Sequence, residues 1–136
     1  MKALFVLLLL SCIATGQQPE NHQQSTPPVN ARFEIVQSGL LARTTFRLDR
    51  YTGRVSQLVQ TSTGDATWEQ MEIQRLLLAA PTPTRAHFQI FTSGLAARHT
   101  YLIDTDSGQT WVLVTGRKKP PVGAEYEVQL WQLIPE

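Results

Sequence analysis

Apolar and polar residues alternate along most of the chain from residue 31 onward. Phe46 and Leu48, for example, alternate with Arg47 and Asp49, and the same pattern returns in Tyr126-Glu127-Val128-Gln129. A period of two is typical of strands that bury one face, and helical spacing is not sustained anywhere after the first 16 residues. The sequence therefore predicts an all-β fold.

The alternating pattern occurs twice. Residues 31–79 and 86–134 align at a constant offset of 55 without a gap, and 16 of the 49 paired positions are identical. Self-similarity at a fixed spacing indicates tandem structural units, which we call the first and second repeat. Each repeat is expected to form a four-stranded antiparallel meander. The predicted strands lie near 31–37, 43–50, 54–61 and 69–78, and near 86–92, 98–105, 109–115 and 124–134.

The second and third strands of each repeat form the clearest hairpin. Its sequence is Phe-Arg-Leu-Asp-x-x-Thr-Gly-Arg-Val at 46–55 and Tyr-Leu-Ile-Asp-x-x-Ser-Gly-Gln-Thr-Trp at 101–111. The glycine can adopt a positive φ, and the aspartate can accept hydrogen bonds from the backbone amides of the turn. Both segments resemble the blade hairpins of quinoprotein-type and WD-type β-propellers, and this resemblance implies that each repeat is blade-like.

Two repeats fall short of the roughly four blades that close a propeller within one chain. The two sheets could instead face each other as a sandwich or close into one small barrel, and we favour these two arrangements. Completion of a ring by other chains is the remaining alternative. In each case residues 31–136 are expected to form a single β domain, because they suffice for one hydrophobic core.

The N-terminus has the layout of a secretory signal over residues 1–16: a lysine, eight apolar residues and then small residues. The apolar run is too short to cross a bilayer core of about 30 Å. Two cleavage sites compete. Cleavage after Gly16 leaves Gln17 first, whereas Leu9-Leu10-Ser11-Cys12 resembles a bacterial lipobox, in which Cys12 carries the lipid. Both predict an exported protein, either secreted or held in the bacterial periplasm or outer membrane as a lipoprotein.

Residues 17–30 contain three prolines and almost no apolar surface, so they are expected to form a disordered tether. The only membrane contact predicted is the lipid at Cys12. Charge gives no sign of a nucleic-acid partner, because the formal net charge is +1 and the one basic cluster is Arg117-Lys118-Lys119. Cys12 is also the only cysteine, which excludes a disulfide within the chain.

No segment has the spacing of a metal or cofactor site. Asp104-Thr105-Asp106-Ser107-Gly108 begins like a calcium loop, but the glutamate that such a loop needs is missing, and a turn explains both repeats. The three histidines do not have the spacing of zinc ligands. Ser38 and Ser93 lie outside a Gly-x-Ser-x-Gly elbow. We therefore predict no metal, no cofactor and no catalytic residue.

Two arginines are the first candidates for a binding role. Arg43 and Arg98 end the motif Ser-Gly-Leu-x-Ala-Arg, which both repeats retain between the first and second strands. A guanidinium beside a turn can bind a carboxylate or phosphate with two hydrogen bonds. It can equally pair with backbone carbonyls, and its presence in both repeats favours this structural role.

Two tryptophans are the second candidates, because the repeats do not share them. Trp111 stands where the first repeat has Ser56, and Trp131 stands where it has Leu76. Tryptophan is enriched at binding hot spots, so these positions could contact a partner, although core packing is the alternative.

The sequence favours a non-enzymatic binding or structural module that faces an unknown protein or polysaccharide. The alternative is a small secreted hydrolase or an enzyme inhibitor, for which Glu72 and Glu127 could supply paired carboxylates. An exposed aromatic patch would support the first hypothesis, and an acid–base pair in one cleft would support the second.

Overall fold

The fold is all-β, as predicted. A computed structural model describes residues 26–37, 44–76, 83–93 and 99–135, and within these ranges the chain forms nine strands and no helix. A helix that could cross a membrane is accordingly absent from the same ranges. The strands are β1 (Phe33–Gln37), β2 (Thr45–Asp49), β3 (Val55–Gln60), β4 (Ala66–Gln70), β5 (Glu72–Ile73), β6 (Phe88–Thr92), β7 (Thr100–Asp104), β8 (Thr110–Lys118) and β9 (Tyr126–Leu133).

The strands form two sheets that pack face to face. The first sheet is antiparallel and has the order β1-β2-β3-β4, and the second has the order β5-β9-β8-β7-β6, in which only β5 runs parallel to its neighbour. The core lies between the sheets, where the rings of Phe46 and Trp131 lie 5.7 Å apart. A sandwich of two sheets is thus confirmed, and the described strands do not close into a barrel.

The first three strands of the two repeats have the same register. Phe33 pairs with Asp49 in the first sheet, and Phe88 pairs with Asp104 in the second. The offset of 55 residues is therefore also a structural equivalence from β1 to β3 and from β6 to β8.

The fourth strand of the first repeat differs from the prediction of 69–78. Strand β4 pairs with β3 as far as Gln70, which lies opposite Ser56. The next residue, Met71, donates its backbone N–H to the carbonyl of Val55 at 2.9 Å. The chain next crosses to the other sheet, where Glu72–Ile73 pairs in parallel with β9. The second sheet is therefore mixed rather than purely antiparallel, because the first repeat contributes its edge strand.

The same difference corrects the equivalence of the tryptophans. Leu58 pairs with Trp68 in the first sheet, and its equivalent Leu113 pairs with Trp131 in the second. Trp131 thus corresponds to Trp68 and not to Leu76. The cause is the hairpin length: a short turn at 61–65 joins β3 to β4, whereas β8 is longer and a loop at 119–125 leads into β9. A gapless alignment cannot follow this shift.

The two sheets bury opposite faces of the repeated unit. Paired residues on neighbouring strands share a face, and successive residues alternate between faces. The second sheet buries Phe88 and Ile90, whose equivalents Phe33 and Ile35 are 55% and 58% exposed in the first sheet. The buried apolar residues of the first sheet are Val36, Phe46, Leu48 and Val55, and those of the second are Phe88, Ile90, Leu102, Trp111, Leu113 and Trp131. The repeats therefore stack in the same orientation, front to back.

A glycine turn forms part of the contact between the repeats. Gly53, between β2 and β3, has a φ of +73°, and the ring of Phe88 packs against it so closely that a Cβ would lie 2.6 Å from the ring. The backbone N–H groups of His87 and Phe88 also donate to the carbonyl of Arg50, at 2.9 and 3.0 Å. Side-chain packing and backbone hydrogen bonds thus fix the second repeat against the first hairpin.

Candidate functional site

One apolar surface covers the side of the first sheet that faces away from the core. We call it the outer face of the first sheet, and its members are Phe33, Ile35, Arg47, Leu58 and Trp68. The Arg47 guanidinium lies 5.1 Å from the centre of the Trp68 ring, which is the geometry of a cation–π contact. Phe33 and Ile35 flank this pair on the edge strand. Exposed apolar side chains grouped on one sheet face are a mark of interaction sites.

A second apolar surface lies on the opposite side of the molecule. We call it the outer face of the second sheet, and its members are Phe91, Tyr101, Ile103, Val112, Val114, Val128 and Leu130. Phe91 is 59% exposed, and its ring lies 6.4 Å from that of Tyr101. The equivalents of these two residues in the first sheet, Val36 and Phe46, are fully buried. Within the described ranges this face also remains open to solvent.

The first hairpin is organised by a buried aspartate. Asp49 accepts hydrogen bonds from Arg32, through Nη2 at 2.9 Å and Nε at 3.2 Å, and from the backbone N–H of Tyr51 at 3.0 Å. Burial by itself raises the pKa of Asp49, but the hydrogen bonds from Arg32 and from the Tyr51 amide outweigh it and hold that pKa below its ordinary value. Asp49 therefore stabilises the turn as a carboxylate.

The second hairpin repeats this arrangement with a histidine. His87 Nδ1 lies 3.0 Å from Asp104 Oδ1, and its Nε2 lies 2.8 Å from the carbonyl oxygen of Tyr51 in the first repeat. His87 therefore links the turn of the second repeat to the turn of the first. Burial raises the pKa of Asp104, but hydrogen bonds from His87, the Ser107 hydroxyl and backbone amides of the turn together lower it below its ordinary value.

These contacts confirm the predicted role of both aspartates, and both glycines adopt the expected positive φ, +73° at Gly53 and +80° at Gly108. The part of His87 in the turn was not predicted, because the histidines were considered only as possible zinc ligands. The available signal was that a basic residue, Arg32 or His87, stands 17 positions before the turn aspartate in both repeats.

Three side chains at the turn of the second hairpin approach the geometry of a metal site, because ligand atoms of His87, which precedes β6, and of Asp104 and Asp106 lie within 4.8 Å of one another. Each has a protein partner, however. Asp106 Oδ2 lies 2.6 Å from Nη2 of Arg85, and Asp104 accepts from the turn. The first repeat retains the pairing with Arg32 in place of the histidine, and a guanidinium cannot bind a metal ion. The cluster is therefore explained by the turn.

The structure places two of the predicted contact residues in the core. Trp111 and Trp131 are 1% and 0% exposed, and Trp111 donates from Nε1 to the carbonyl of Gln74 at 2.7 Å. Neither ring can reach a partner, so the prediction of a contact role for these tryptophans is wrong and the core-packing alternative holds. The other candidates, Cys12, Arg43 and Arg98, lie outside the described residues.

The two glutamates named for the hydrolase hypothesis lie at the surface of the molecule. Glu72 and Glu127 are exposed, and Glu72 lies 3.7 Å from the ammonium of Lys118. A shallow depression of about 170 Å³ is lined by Arg54, Gln70, Met71, Ile73 and Leu76, and this lining has no carboxylate, histidine or hydroxyl group that could act as an acid, base or nucleophile.

No model of a known protein family matches the chain, and no curated protein or solved structure shows significant similarity to it.

Proposed function

We propose that the protein is an exported, non-enzymatic binding or structural module that holds a protein or polysaccharide partner on the outer faces of its sheets. The observation that carries this proposal is the exposure of large apolar side chains on strands, with Phe33, Ile35 and Phe91 all more than half exposed. Burying an apolar side chain completely contributes about 1.5–3 kcal/mol, so covering the open part of each gains about 1–2 kcal/mol.

The outer face of the first sheet has the composition of a binding surface. Arginine and tryptophan are enriched at interface hot spots, and here Arg47 stacks on Trp68 beside Phe33 and Ile35. All these residues lie on paired strands rather than on loops, so the surface exists before the partner arrives. Little conformational entropy is lost on binding to such a surface.

The N-terminal sequence supports export of this module. Residues 1–16 have the layout of a secretory signal, and the chain leaves the leader either at Gln17 or with a lipid on Cys12. Of the predicted tether at 17–30, the carbonyl oxygens of Pro28 and Asn30 accept hydrogen bonds from the first hairpin, from Arg50 at 3.2 Å and Tyr51 at 3.1 Å. A domain on such a tether suits a role in contact with other envelope or extracellular components.

Site-specific photo-cross-linking in the producing cells tests the proposal. A benzophenone amino acid replaces Ile35 in one variant and Phe91 in a second, and the matched control replaces Val122, which is 91% exposed but lies in the loop before β9. We expect discrete adducts from positions 35 and 91 and none from position 122. Absence of adducts at 35 and 91, or an equal yield at all three positions, would contradict a binding role for the outer faces.

A further inference from the structure

We propose that the partner on these faces is a second copy of this chain, bound head to tail. The outer face of the first sheet in one copy packs against the outer face of the second sheet in the next. This inference rests on the proposed function, because it names the partner of the same two faces.

The contact between the repeats within one chain supplies the template for this assembly. There the second sheet presents Phe88 and Ile90 to the first sheet, and Trp131 contacts Phe46. The outer face of the first sheet presents the equivalent residues, with Phe33 at the position of Phe88 and, by its pairing with Leu58, Trp68 at the position of Trp131. The outer face of the first sheet is therefore the side of the repeated unit that the second sheet buries within the chain, and no described strand covers it.

The other half of the template is also present and uncovered. The first sheet receives the second on the face of Val36, Phe46 and Leu48, whose equivalents on the outer face of the second sheet are Phe91, Tyr101 and Ile103. Each chain thus has two uncovered faces, one on either side of its two stacked sheets, that could together form one further contact of the same kind. Two different surfaces that fit each other in this way make a heterologous contact, which joins copies head to tail.

The template also specifies atomic contacts. Phe88 packs against Gly53 within the chain, so Phe33 is expected to pack against Gly108 of the next copy. Gly108 has a φ of +80°, as the equivalent turn requires, and a Cβ built on it would find no atom within 4 Å in the single chain. Space for the incoming ring is therefore available at that turn. By the same equivalence, Trp68 is expected to meet Tyr101 of the next copy.

Two replacements on the outer face of the first sheet help to make the contact between copies more polar than the one within the chain. Arg47 stands where the second repeat has Leu102, and Ser56 stands where it has Trp111. Less apolar area is buried at these two positions, and the Arg47 charge must be accommodated at the interface. We therefore expect a reversible association whose average mass falls on dilution, rather than a permanent oligomer.

The test compares two charge substitutions by light scattering and native mass spectrometry of the full chain as purified from the producing cells. Ile35→Asp damages the outer face of the first sheet, and Phe91→Asp damages that of the second. Both residues are more than half exposed, so the fold is expected to persist, which circular dichroism checks. Wild type is expected to exceed the single-chain mass, and each variant alone is expected to lose the larger species. Val122→Asp, the matched exposed control, is expected to retain them.

A mixture of the two variants establishes the orientation. Phe91→Asp retains an intact outer face on its first sheet, and Ile35→Asp retains one on its second sheet, so mixing them is expected to restore one contact and give a heterodimer. A symmetric contact between two first sheets would instead leave Phe91→Asp dimeric by itself, and that result would overturn the head-to-tail arrangement.

The experiments separate failure of this inference from failure of the proposed function. A wild-type chain that stays monomeric at every concentration, together with adducts from position 35 to a different macromolecule, would overturn the inference and leave the binding role intact. A monomeric chain without adducts from positions 35 and 91 would overturn both.

Discussion

Substitution of Gly53 by alanine tests the stacking of the repeats most sharply, because this turn meets the second repeat. A Cβ at this position would lie 2.6–2.8 Å from three carbon atoms of the Phe88 ring. The ring has little freedom to move, since Phe88 is 6% exposed and lies between His87 and Trp111, with ring centres 4.4 and 6.4 Å away.

The equivalent glycine of the second repeat provides the matched control. Gly53 and Gly108 have φ values of +73° and +80°, so alanine at either position suffers the strain of a left-handed backbone, about 1–2 kcal/mol. Only Gly53→Ala adds the penalty of overpacking, about 1–3 kcal/mol. Gly53→Ala should therefore lower the free energy of unfolding by about 1–3 kcal/mol more than Gly108→Ala.

Urea unfolding followed by tryptophan fluorescence measures this difference, because Trp111 and Trp131 are buried in the folded chain. The measurement is made at dilutions at which the chain is monomeric, since association would add to the apparent stability. Equal losses in the two variants would refute the close packing of Phe88 on the first hairpin.

Three further predictions concern the turn aspartates, the tryptophans and the N-terminus. Asp49→Ala and Asp104→Ala should each lower the free energy of unfolding by about 1 kcal/mol at neutral pH. Folding lowers the pKa of both aspartates, so this stabilisation is present above the ordinary carboxyl pKa of about 3.9 and is lost as the pH falls through the lowered values. The loss of unfolding free energy in each variant should therefore shrink in acid. A loss that stays constant between pH 7 and 2 would argue against these hydrogen bonds. Trp131→Ala should lower the free energy of unfolding by about 3–5 kcal/mol and Trp68→Ala by about 1 kcal/mol. Denaturation followed by circular dichroism measures both losses. Similar losses in the two variants would contradict the assignment of one ring to the core and the other to the outer face. Mass spectrometry of the mature chain should find either a lipid-modified N-terminus at Cys12 or an unmodified one near Gln17, and an uncleaved leader would contradict export.

The local signals in the sequence were sufficient for the first three strands of each repeat and for the hairpin turns between the second and third strands. Alternation placed β1 to β3 and β6 to β8 within two residues of their starts, because a strand that buries one face must alternate. The Asp-x-x-Thr-Gly and Asp-x-x-Ser-Gly turns were predictable for the same local reason, since Asp49 and Gly53 act within five residues of each other.

The choice of the buried face could not be read from the sequence, because it depends on long-range packing. Phe33 and Ile35 alternate with Glu34 and Val36, and periodicity separates these two faces without showing which one another sheet will cover. Phe88 and Ile90, the equivalents of Phe33 and Ile35 in the second repeat, have the same local pattern but are buried.

The fourth strand and the tryptophans were mispredicted for a related reason. The gapless alignment assigned Trp131 to Leu76, whereas hairpin length moves the pairing by eight residues and makes Trp68 its equivalent. This correction identifies which tryptophan belongs to the outer face of the first sheet: Trp68 lies on that face, and Trp131 lies in the core.

The two outer faces are, on this proposal, complementary halves of one contact. Native mass spectrometry of an equimolar mixture of Ile35→Asp and Phe91→Asp tests it most directly, because the two variants differ in mass and each lacks one half. We expect single chains for each variant alone and a heterodimer in the mixture. A mixture that stays monomeric under conditions in which the wild type associates would contradict it.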